Sequence, residues 1–269
     1  MNYYQILKIT GIILLIFSLF ILIPISAALF YGESIDNFLL SFLIIFFAGL
    51  LAYFPNMKER SQIKIREGFL IVAIFWIILS IFGAIPFLLD ESLEFSLVDA
   101  IFESTSGWTT TGATVITNID DLNKPLLLYR QLLQWLGGIG IVVLVLAILP
   151  ILGVGGMYLY KAETSSPVKD NKLSPRITET AKSLWGVYII LTIACAALYK
   201  IAGMSYFDAI GHSFSTVSIG GFSTHNSSIG FYSSDLIKII CMVFMFLSAL
   251  NFVLHFLFYK NKSLTVYAS

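Results

Sequence analysis

The stretch "ESTSGWTTTGAT", residues 103–114, decides how the fold of this sequence is interpreted. It holds seven hydroxyl residues and two glycines, and it lies between two apolar runs that are long enough to cross a bilayer. Polar backbone is not tolerated against lipid, but it is tolerated where it lines a water-filled cavity. We therefore expect this stretch to line or brace a wet path through a membrane protein.

The composition is that of an integral membrane protein. Hydrophobic residues make up 58% of the 269 residues and charged residues only 12%, and the mean hydropathy is +0.88, whereas a soluble domain carries about 25% charged residues. The formal net charge is zero, so no nucleic-acid partner is expected. Cys195 and Cys241 lie in apolar runs and are expected to be small buried side chains.

Six runs are predicted to cross the membrane, since a helix needs about 20 apolar residues to span a hydrocarbon core about 30 Å thick. They are residues 11–31, 38–54, 69–89, a run within 131–160, 183–199 and 239–259. With the N-terminus inside, 12 of the 16 Lys and Arg residues fall in inner loops. The positive-inside rule then predicts that both termini are cytoplasmic and that residues 103–114 lie on the outer side.

The hydroxyl-rich stretch occurs twice. "FSLVDAIFESTSGWTTTGAT" begins at residue 95, and "MSYFDAIGHSFSTVSIGGFS" begins 109 residues later. Among the identical pairs that the shift superimposes are Ser96 and Ser205, Asp99 and Asp208, and Gly112 and Gly221. Each copy lies between two predicted spans, so we expect an all-α polytopic protein with two parallel helix, pore loop, helix units. The segments are a transmembrane hairpin (1–60), a first unit (61–160), a cytoplasmic linker (161–182) and a second unit (183–269).

The first part of each copy is expected to be a short helix. A serine followed three residues later by an aspartate matches the capping-box pattern. From there to Ser106 or Ser215 is about ten residues, or about 15 Å at 1.5 Å per residue, so the helix enters the membrane only halfway. Its C-terminal end carries about half a negative charge and favours a cation.

The second parts, "TTTGAT" and "SIGGFS", predict extended backbone with glycine. Carbonyl groups in such segments replace the hydration shell of a monovalent cation, and glycine permits the positive φ that turns successive carbonyls to one side. We therefore expect a selectivity filter at Gly112 and Gly221. The alternative is a polar loop that only plugs a helical bundle by close packing, and the second copy at the same offset favours the filter.

Four motifs, "STSGWTTTGAT", "YRQLLQWLGGIGI", "AETSSP" and "TVSIGGFSTHNSSIGF", resemble those of the Trk/Ktr/HKT superfamily of potassium transporters, TrkH and TrkG types in particular. The resemblance covers essentially the whole chain. It implies K⁺ uptake through a carbonyl-lined filter in the inner membrane, with no enzymatic activity and no organic cofactor. Ala113 and Phe222 flank the filter, and the implied carbonyl ligands of K⁺ belong to Thr110, Thr111, Gly112, Ile219, Gly220 and Gly221. In the family, glycine at the first filter position goes with potassium preference and serine with sodium.

The family carries four such units in one chain, and this sequence holds two. We expect it to correspond to the N-terminal half of a transporter subunit. The alternatives are a half-pore that a second copy completes and a non-conducting half-subunit that binds or regulates an intact transporter. The resemblance also implies a homodimer in the full-length form, and a TrkA-like nucleotide-binding regulatory subunit that docks on the basic segment 161–182.

Some residues have less specific interpretations. Arg130 is expected to snorkel or to pair with a carboxylate such as Asp120 or Asp121. His212 and His225 are expected to be hydrogen-bonded residues of the second loop, with a role at the outer mouth as the alternative. The glycines of "WLGGIG" are expected to permit close helix packing.

An intramembrane enzyme is the second class of function that we considered. The sequence has no G-x-S-x-G elbow, and no pair of aspartates lies within adjacent spans, so hydrolytic chemistry is not expected.

Overall fold

The computed structural model describes residues 3–59, 65–140 and 174–250. Every regular element in these ranges is helical. The α-helices are α1 (Tyr3–Tyr31), α2 (Asp36–Tyr53), α3 (Ile65–Gly83), α4 (Ile85–Leu89), α5 (Leu97–Trp108), α6 (Lys124–Gly138), α7 (Ser174–Ile201), α8 (Tyr206–Val217) and α9 (Asp235–Ala249). Short 3-10 turns occupy Phe54–Asn56, Ile119–Asp121 and Ser228–Phe231.

Four helical segments of the described residues are long and apolar enough to cross a membrane. They are Tyr3–Tyr31, Asp36–Asn56, Leu70–Leu89 and Leu184–Ile201, which correspond to the first, second, third and fifth predicted spans. The fourth and sixth predicted spans include residues 141–160 and 251–259, which lie outside the described residues. Those two spans and the cytoplasmic location of the termini stay predictions.

Some helix boundaries differ from those predicted. α1 begins before the apolar run, and this helix contains Lys8, one of the 12 basic residues counted in the inner loops. The Nζ of Lys8 donates to the carbonyl oxygens of Met57 and Glu59 at 3.0 and 2.7 Å, so the ammonium stays hydrogen-bonded while the stem is buried. α7 begins at Ser174, within the segment that we assigned to the linker.

The third predicted span is interrupted near its outer end. α3 ends at Gly83, and α4 begins at Ile85 with Pro86 in its first turn. Proline lacks the N–H group that would continue the helical hydrogen-bond ladder, which explains the break. The short helix α4 then leads directly into the loop before α5.

Two large hydrophobic clusters form most of the core of the described residues, and α6 contacts both. The first cluster includes residues from all of the helices α1 through α6. Within it, the rings of Phe17 and Trp108 meet edge to face with centroids 5.2 Å apart. The second joins α7, α8 and α9. Trp135 of α6 stacks on Phe214 of α8 at 5.1 Å, and its Nε1 donates to Thr192 of α7 at 3.0 Å. Each short helix, α5 and α8, therefore packs into its own cluster and also touches α6.

Two glycines at the end of α6 permit its close approach to the ends of both short helices. A Cβ on Gly137 would lie 2.0 Å from the carbonyl oxygen of Trp108, and a Cβ on Gly138 would lie 2.6 Å from the Cβ of Ser218. Real side chains do not reach such distances, so only glycine fits here. The close packing predicted for "WLGGIG" is confirmed.

Candidate functional site

The two short helices begin in the way that the sequence predicts. In α5, the Ser96 hydroxyl accepts from the amide of Asp99 at 3.3 Å, and the Asp99 carboxylate accepts from the amide of Ser96 at 3.1 Å, which completes a capping box. In α8, the Ser205 hydroxyl accepts from the amide of Asp208 at 3.0 Å. Each helix has 12 residues, too few to cross a bilayer.

Both short helices also end in the same backbone motif. After α5, the amide of Thr110 donates to the carbonyl of Gly107 at 3.0 Å, and the amide of Thr111 donates to the carbonyl of Ser106 at 3.0 Å. The second copy repeats both bonds at the same 109-residue shift, from Ile219 to Thr216 at 3.1 Å and from Gly220 to Ser215 at 2.8 Å. This pair of bonds is a Schellman motif, which requires a left-handed residue just after the helix.

The left-handed residues at these two helix ends are not glycines. Thr110 has φ of +52° and Ile219 has φ of +56°. A β-branched residue rarely adopts this conformation, because its Cβ comes too close to the following carbonyl, at a cost of about 1–2 kcal/mol. Our interpretation of the sequence missed this feature, since it gave positive φ only to glycine. Each lies two residues before a glycine that also has positive φ, and this spacing is the signal that marks these positions.

Gly112 and Gly221 have φ of +75° and +86°, so the positive φ predicted for both is confirmed. Their surroundings differ. A Cβ on Gly112 would lie 2.1 Å from the carbonyl oxygen of Gly220, whereas nothing lies within 4 Å of a Cβ on Gly221. The two glycine segments, residues 110–113 and 219–222, therefore touch each other at Gly112, and Gly221 faces open space.

A buried ion pair lies behind these segments. The Nε of Arg130 lies 2.8 Å from Oε1 of Glu103, and both side chains are fully buried. The expectation that Arg130 pairs with a carboxylate is therefore confirmed, but the partner is Glu103, not Asp120 or Asp121, and the side chain does not snorkel. The physical reason is that α6 runs through the interior, so Arg130 faces α5 and not the membrane surface.

The ion pair connects the residues that follow both filter glycines. The carboxylate of Glu103 accepts from the hydroxyl of Thr114 at 2.9 Å in the first copy. The guanidinium of Arg130 donates to the carbonyl of Ser223 at 3.2 Å in the second copy, and it lies 4.3 Å from the centre of the Phe222 ring. A buried charge is stable only when it is paired and hydrogen-bonded. We call Glu103 and Arg130 the filter brace, after the filter that the sequence predicts, since they are bonded to the residues just beyond both segments.

The matching serines of the two short helices differ in their hydrogen bonds. The Ser106 hydroxyl donates to the carbonyl of Ala113 at 2.5 Å, which holds the end of the first segment. At the matching position, the hydroxyl of Ser215 has no partner among the described residues. Ser215, Ile219 and Gly221 line a cavity of about 80 Å³. The second segment thus has room on one side that the first segment lacks.

His212 is a satisfied residue of the second loop, as expected. Its Nδ1 lies 2.9 Å from the carbonyl oxygen of Asp208, and its Nε2 lies 2.9 Å from the hydroxyl of Ser223. Burial alone would raise the pKa of Asp208, but hydrogen bonds from Thr224 and Ser205 lower that pKa below its ordinary value. The carboxylate at the start of α8 therefore stays ionised.

His225 contacts a carboxylate after the first glycine segment and another at the start of α8. Its Nδ1 lies 2.9 Å from Oδ1 of Asp120, and its Nε2 lies 3.5 Å from Oδ1 of Asp208. Its ring stacks on Phe231 with centroids 3.6 Å apart. The amide of Ile119 also donates to the side chain of Asn226 at 2.7 Å. The loops that follow the two glycine segments are thus hydrogen-bonded to each other.

Comparison with known proteins identifies close relatives. The family described as TrkH, cation transport protein, matches residues 34–268. The chain is 52% identical over 268 residues to the Trk system potassium uptake protein TrkH of Halomonas elongata, covering 99% of this chain and 56% of that protein. It is 50% identical over 268 residues to TrkH of Escherichia coli, again covering 99% and 56%.

A solved structure of the same family is also similar to this chain. The crystal structure of the potassium transporter TrkH from Vibrio parahaemolyticus is similar to this chain with a TM-score of 0.83 and 46% sequence identity. The match covers 97% of this chain and 53% of that chain. The chain therefore spans about half the length of the relatives it matches.

Proposed function

Because this chain belongs to the TrkH family of cation transport proteins, we propose that it forms part of a potassium uptake pathway across the cytoplasmic membrane. The chain is a multi-pass membrane protein with four candidate spans in its described residues. The relatives at 50–52% identity are named potassium uptake proteins. Their similarity supports potassium as the transported ion.

One observation carries the proposal: two glycine segments with the same backbone geometry touch each other. Positive φ recurs at matching positions, at Thr110 and Ile219 and at Gly112 and Gly221. Alternating left-handed residues turn carbonyl groups toward one side, and aligned carbonyl groups replace the water shell of K⁺. We propose that the ion is bound by the carbonyl oxygens of Thr110, Thr111, Gly112, Ile219, Gly220 and Gly221.

The filter brace supports this assignment. Carbonyl groups discriminate between ions only when their number and spacing are maintained. Glu103 and Arg130 are fully buried and bonded to residues just beyond both segments. A pair of this kind resists movement of the segments, because separating buried charges is costly.

Two segments surround only part of an ion, since known potassium filters use four loops. We propose that further segments complete the filter, either from additional units of a longer chain or from a second copy of this one. The relatives are about twice as long as the matched region, which favours additional units.

The proposal includes partners. By family resemblance, the full-length form is a homodimer, and a TrkA-like nucleotide-binding subunit docks on the cytoplasmic segment 161–182. The sequence of this segment holds five basic residues: Lys161, Lys169, Lys172, Arg176 and Lys182. Reversal of these charges is expected to abolish co-purification of the regulator, and unchanged co-purification would remove this site from the proposal.

Rubidium uptake tests the function. The chain is expressed in cells that lack their own potassium uptake systems, alone and fused to the C-terminal part of TrkH from Vibrio parahaemolyticus. We expect uptake that K⁺ inhibits and Na⁺ does not. Gly112→Ala is expected to abolish it, while Gly230→Ala is the matched control, because a Cβ on Gly230 meets nothing within 4 Å.

The outcomes separate the alternatives. Uptake by the chain alone means that copies of it complete the pore, and uptake only by the fusion means that additional units are required. No uptake by either form, with verified membrane expression, contradicts the proposed function.

A further inference from the structure

A buried glutamine of α6 contacts both glycine segments. Gln134 is fully buried, and its Oε1 accepts from the amide of Phe222 at 2.9 Å. A Cβ on Gly220 would lie 2.5 Å from Oε1 and 2.7 Å from Nε2 of this side chain. A Cβ on Gly112 would lie 3.6 Å from Nε2. The carboxamide of Gln134 therefore lies beside the point where Gly112 meets the carbonyl of Gly220.

The amide nitrogen of Gln134 is unusual for a buried donor. Nε2 has no hydrogen-bond partner among the described residues, although buried polar groups are nearly always paired. Oε1 of the same side chain is bonded to the second segment, so the unpaired Nε2 is held at the contact between the two segments.

We propose that Gln134 is a positioning residue that sets the spacing between the two glycine segments and thereby the preference for potassium over sodium. This inference rests on the proposed potassium pathway. The bond to Phe222 fixes the second segment just after Gly221, and the carboxamide prevents the backbone at Gly220 from moving toward α6. Carbonyl groups held at a fixed spacing suit the larger K⁺, whereas a filter that contracts also accepts Na⁺.

The neighbouring glutamine provides a matched control. Gln131 lies one turn earlier on α6, is fully buried, and has no partner for either amide atom among the described residues. It packs against α8, where a Cβ on Gly211 would lie 1.9 Å from its Oε1. A general effect of removing a buried amide from α6 should therefore appear equally in Gln131→Met and Gln134→Met.

The test compares three proteins, which are the wild-type chain, the Gln134→Met variant and the Gln131→Met variant. Each protein is measured with two readouts. The first is the ratio of Rb⁺ to Na⁺ uptake in the rubidium assay. We expect Gln134→Met to lower this ratio by about tenfold, since one net hydrogen bond corresponds to about one order of magnitude in an equilibrium. Gln131→Met is expected to leave the ratio unchanged.

The second readout is amide hydrogen exchange in peptides that contain Phe222, measured on purified protein in K⁺ and in Na⁺. We expect faster exchange in Gln134→Met, and slow exchange again in Gln134→Glu, which keeps an acceptor oxygen. Equal exchange in the wild type and Gln134→Met overturns the inference, as does a normal uptake ratio in Gln134→Met. If the wild type takes up no ion, the proposed function fails, and the exchange comparison alone decides whether Gln134 holds the second segment.

Discussion

At the residue scale, Gly112 and Gly221 are not equivalent, although both have positive φ. Gly112 lies against the carbonyl of Gly220, whereas Gly221 borders open space. The repeat in the sequence predicts two equal filter glycines, so the difference arises from the packing of the segments. Substitution at these positions should therefore have unequal effects.

The first prediction compares Gly112→Ala with Gly221→Ala. Alanine at 221 carries only the cost of a left-handed residue, about 1–2 kcal/mol. Alanine at 112 adds a Cβ 2.1 Å from the carbonyl oxygen of Gly220. Such overpacking costs a further amount of about 1–3 kcal/mol. We expect the midpoint of thermal unfolding in detergent to fall more for Gly112→Ala. Equal midpoints would mean that the segments do not touch.

The second prediction concerns the filter brace. Arg130→Met leaves the buried carboxylate of Glu103 unpaired, which costs about 3–5 kcal/mol. The double variant Arg130→Met and Glu103→Leu removes both charges, and we expect it to be more stable than either single variant. Thermal unfolding of the four proteins forms a double-mutant cycle that measures this coupling. The control is the exposed pair Lys238 and Asp235, whose loss should have little effect. Additive losses at the brace would contradict the pairing.

Local features of the site could be predicted from the sequence, and contacts between distant residues could not. The caps at Ser96 and Ser205 depend on residues three apart, so their pattern is visible in the chain. The pairing of Glu103 with Arg130 depends on how α6 packs against α5, and no local pattern reports it. The left-handed Thr110 and Ile219 oppose the intrinsic preference of β-branched residues, so propensity leads to the wrong expectation.

At the scale of elements, the two short helices are the parts that position the two glycine segments. α5 and α8 have the same length, the same N-terminal serine and the same C-terminal hydrogen bonds. α6 touches both through Gly137 and Gly138. The sequence predicted both short helices because their caps are local. It did not predict the break at Ala84, where a proline in an apolar run interrupts the span.

The third prediction tests the strained helix ends. Ile219→Gly relieves the left-handed strain at the end of α8, so we expect the thermal midpoint to stay the same or rise. Thr111→Gly, in the other segment at the residue after Thr110 and without positive φ, is the control and should be destabilised by about 0.5–1 kcal/mol. A lower midpoint for Ile219→Gly than for Thr111→Gly would contradict the assigned conformation.

At the scale of the whole molecule, composition alone predicted a helical membrane protein, and the family match agrees. Apolar runs are reliable signals because a bilayer imposes a minimum length. Two predicted spans lie partly outside the described residues, so the number of spans rests on the apolar runs and the location of the termini on the positive-inside rule. This rule makes a direct prediction of topology.

The fourth prediction concerns that topology. In a background of Cys195→Ala and Cys241→Ala, Ser92→Cys lies in the predicted outer loop and Lys58→Cys in the predicted inner loop. We expect an impermeant thiol reagent to label position 92 in intact cells and position 58 only after permeabilisation. Labelling in the opposite pattern would reverse the orientation and place both filter segments on the inner side.

The most direct test of the central claim is anomalous scattering from crystals of the protein grown in Rb⁺. We expect an anomalous peak between residues 110–112 and 219–221, at the carbonyl oxygens of Gly112 and Gly221, and loss of this peak when Na⁺ replaces Rb⁺. Ordered Rb⁺ found only at other sites, in a protein that transports it, would contradict the assignment of these two segments as the potassium filter.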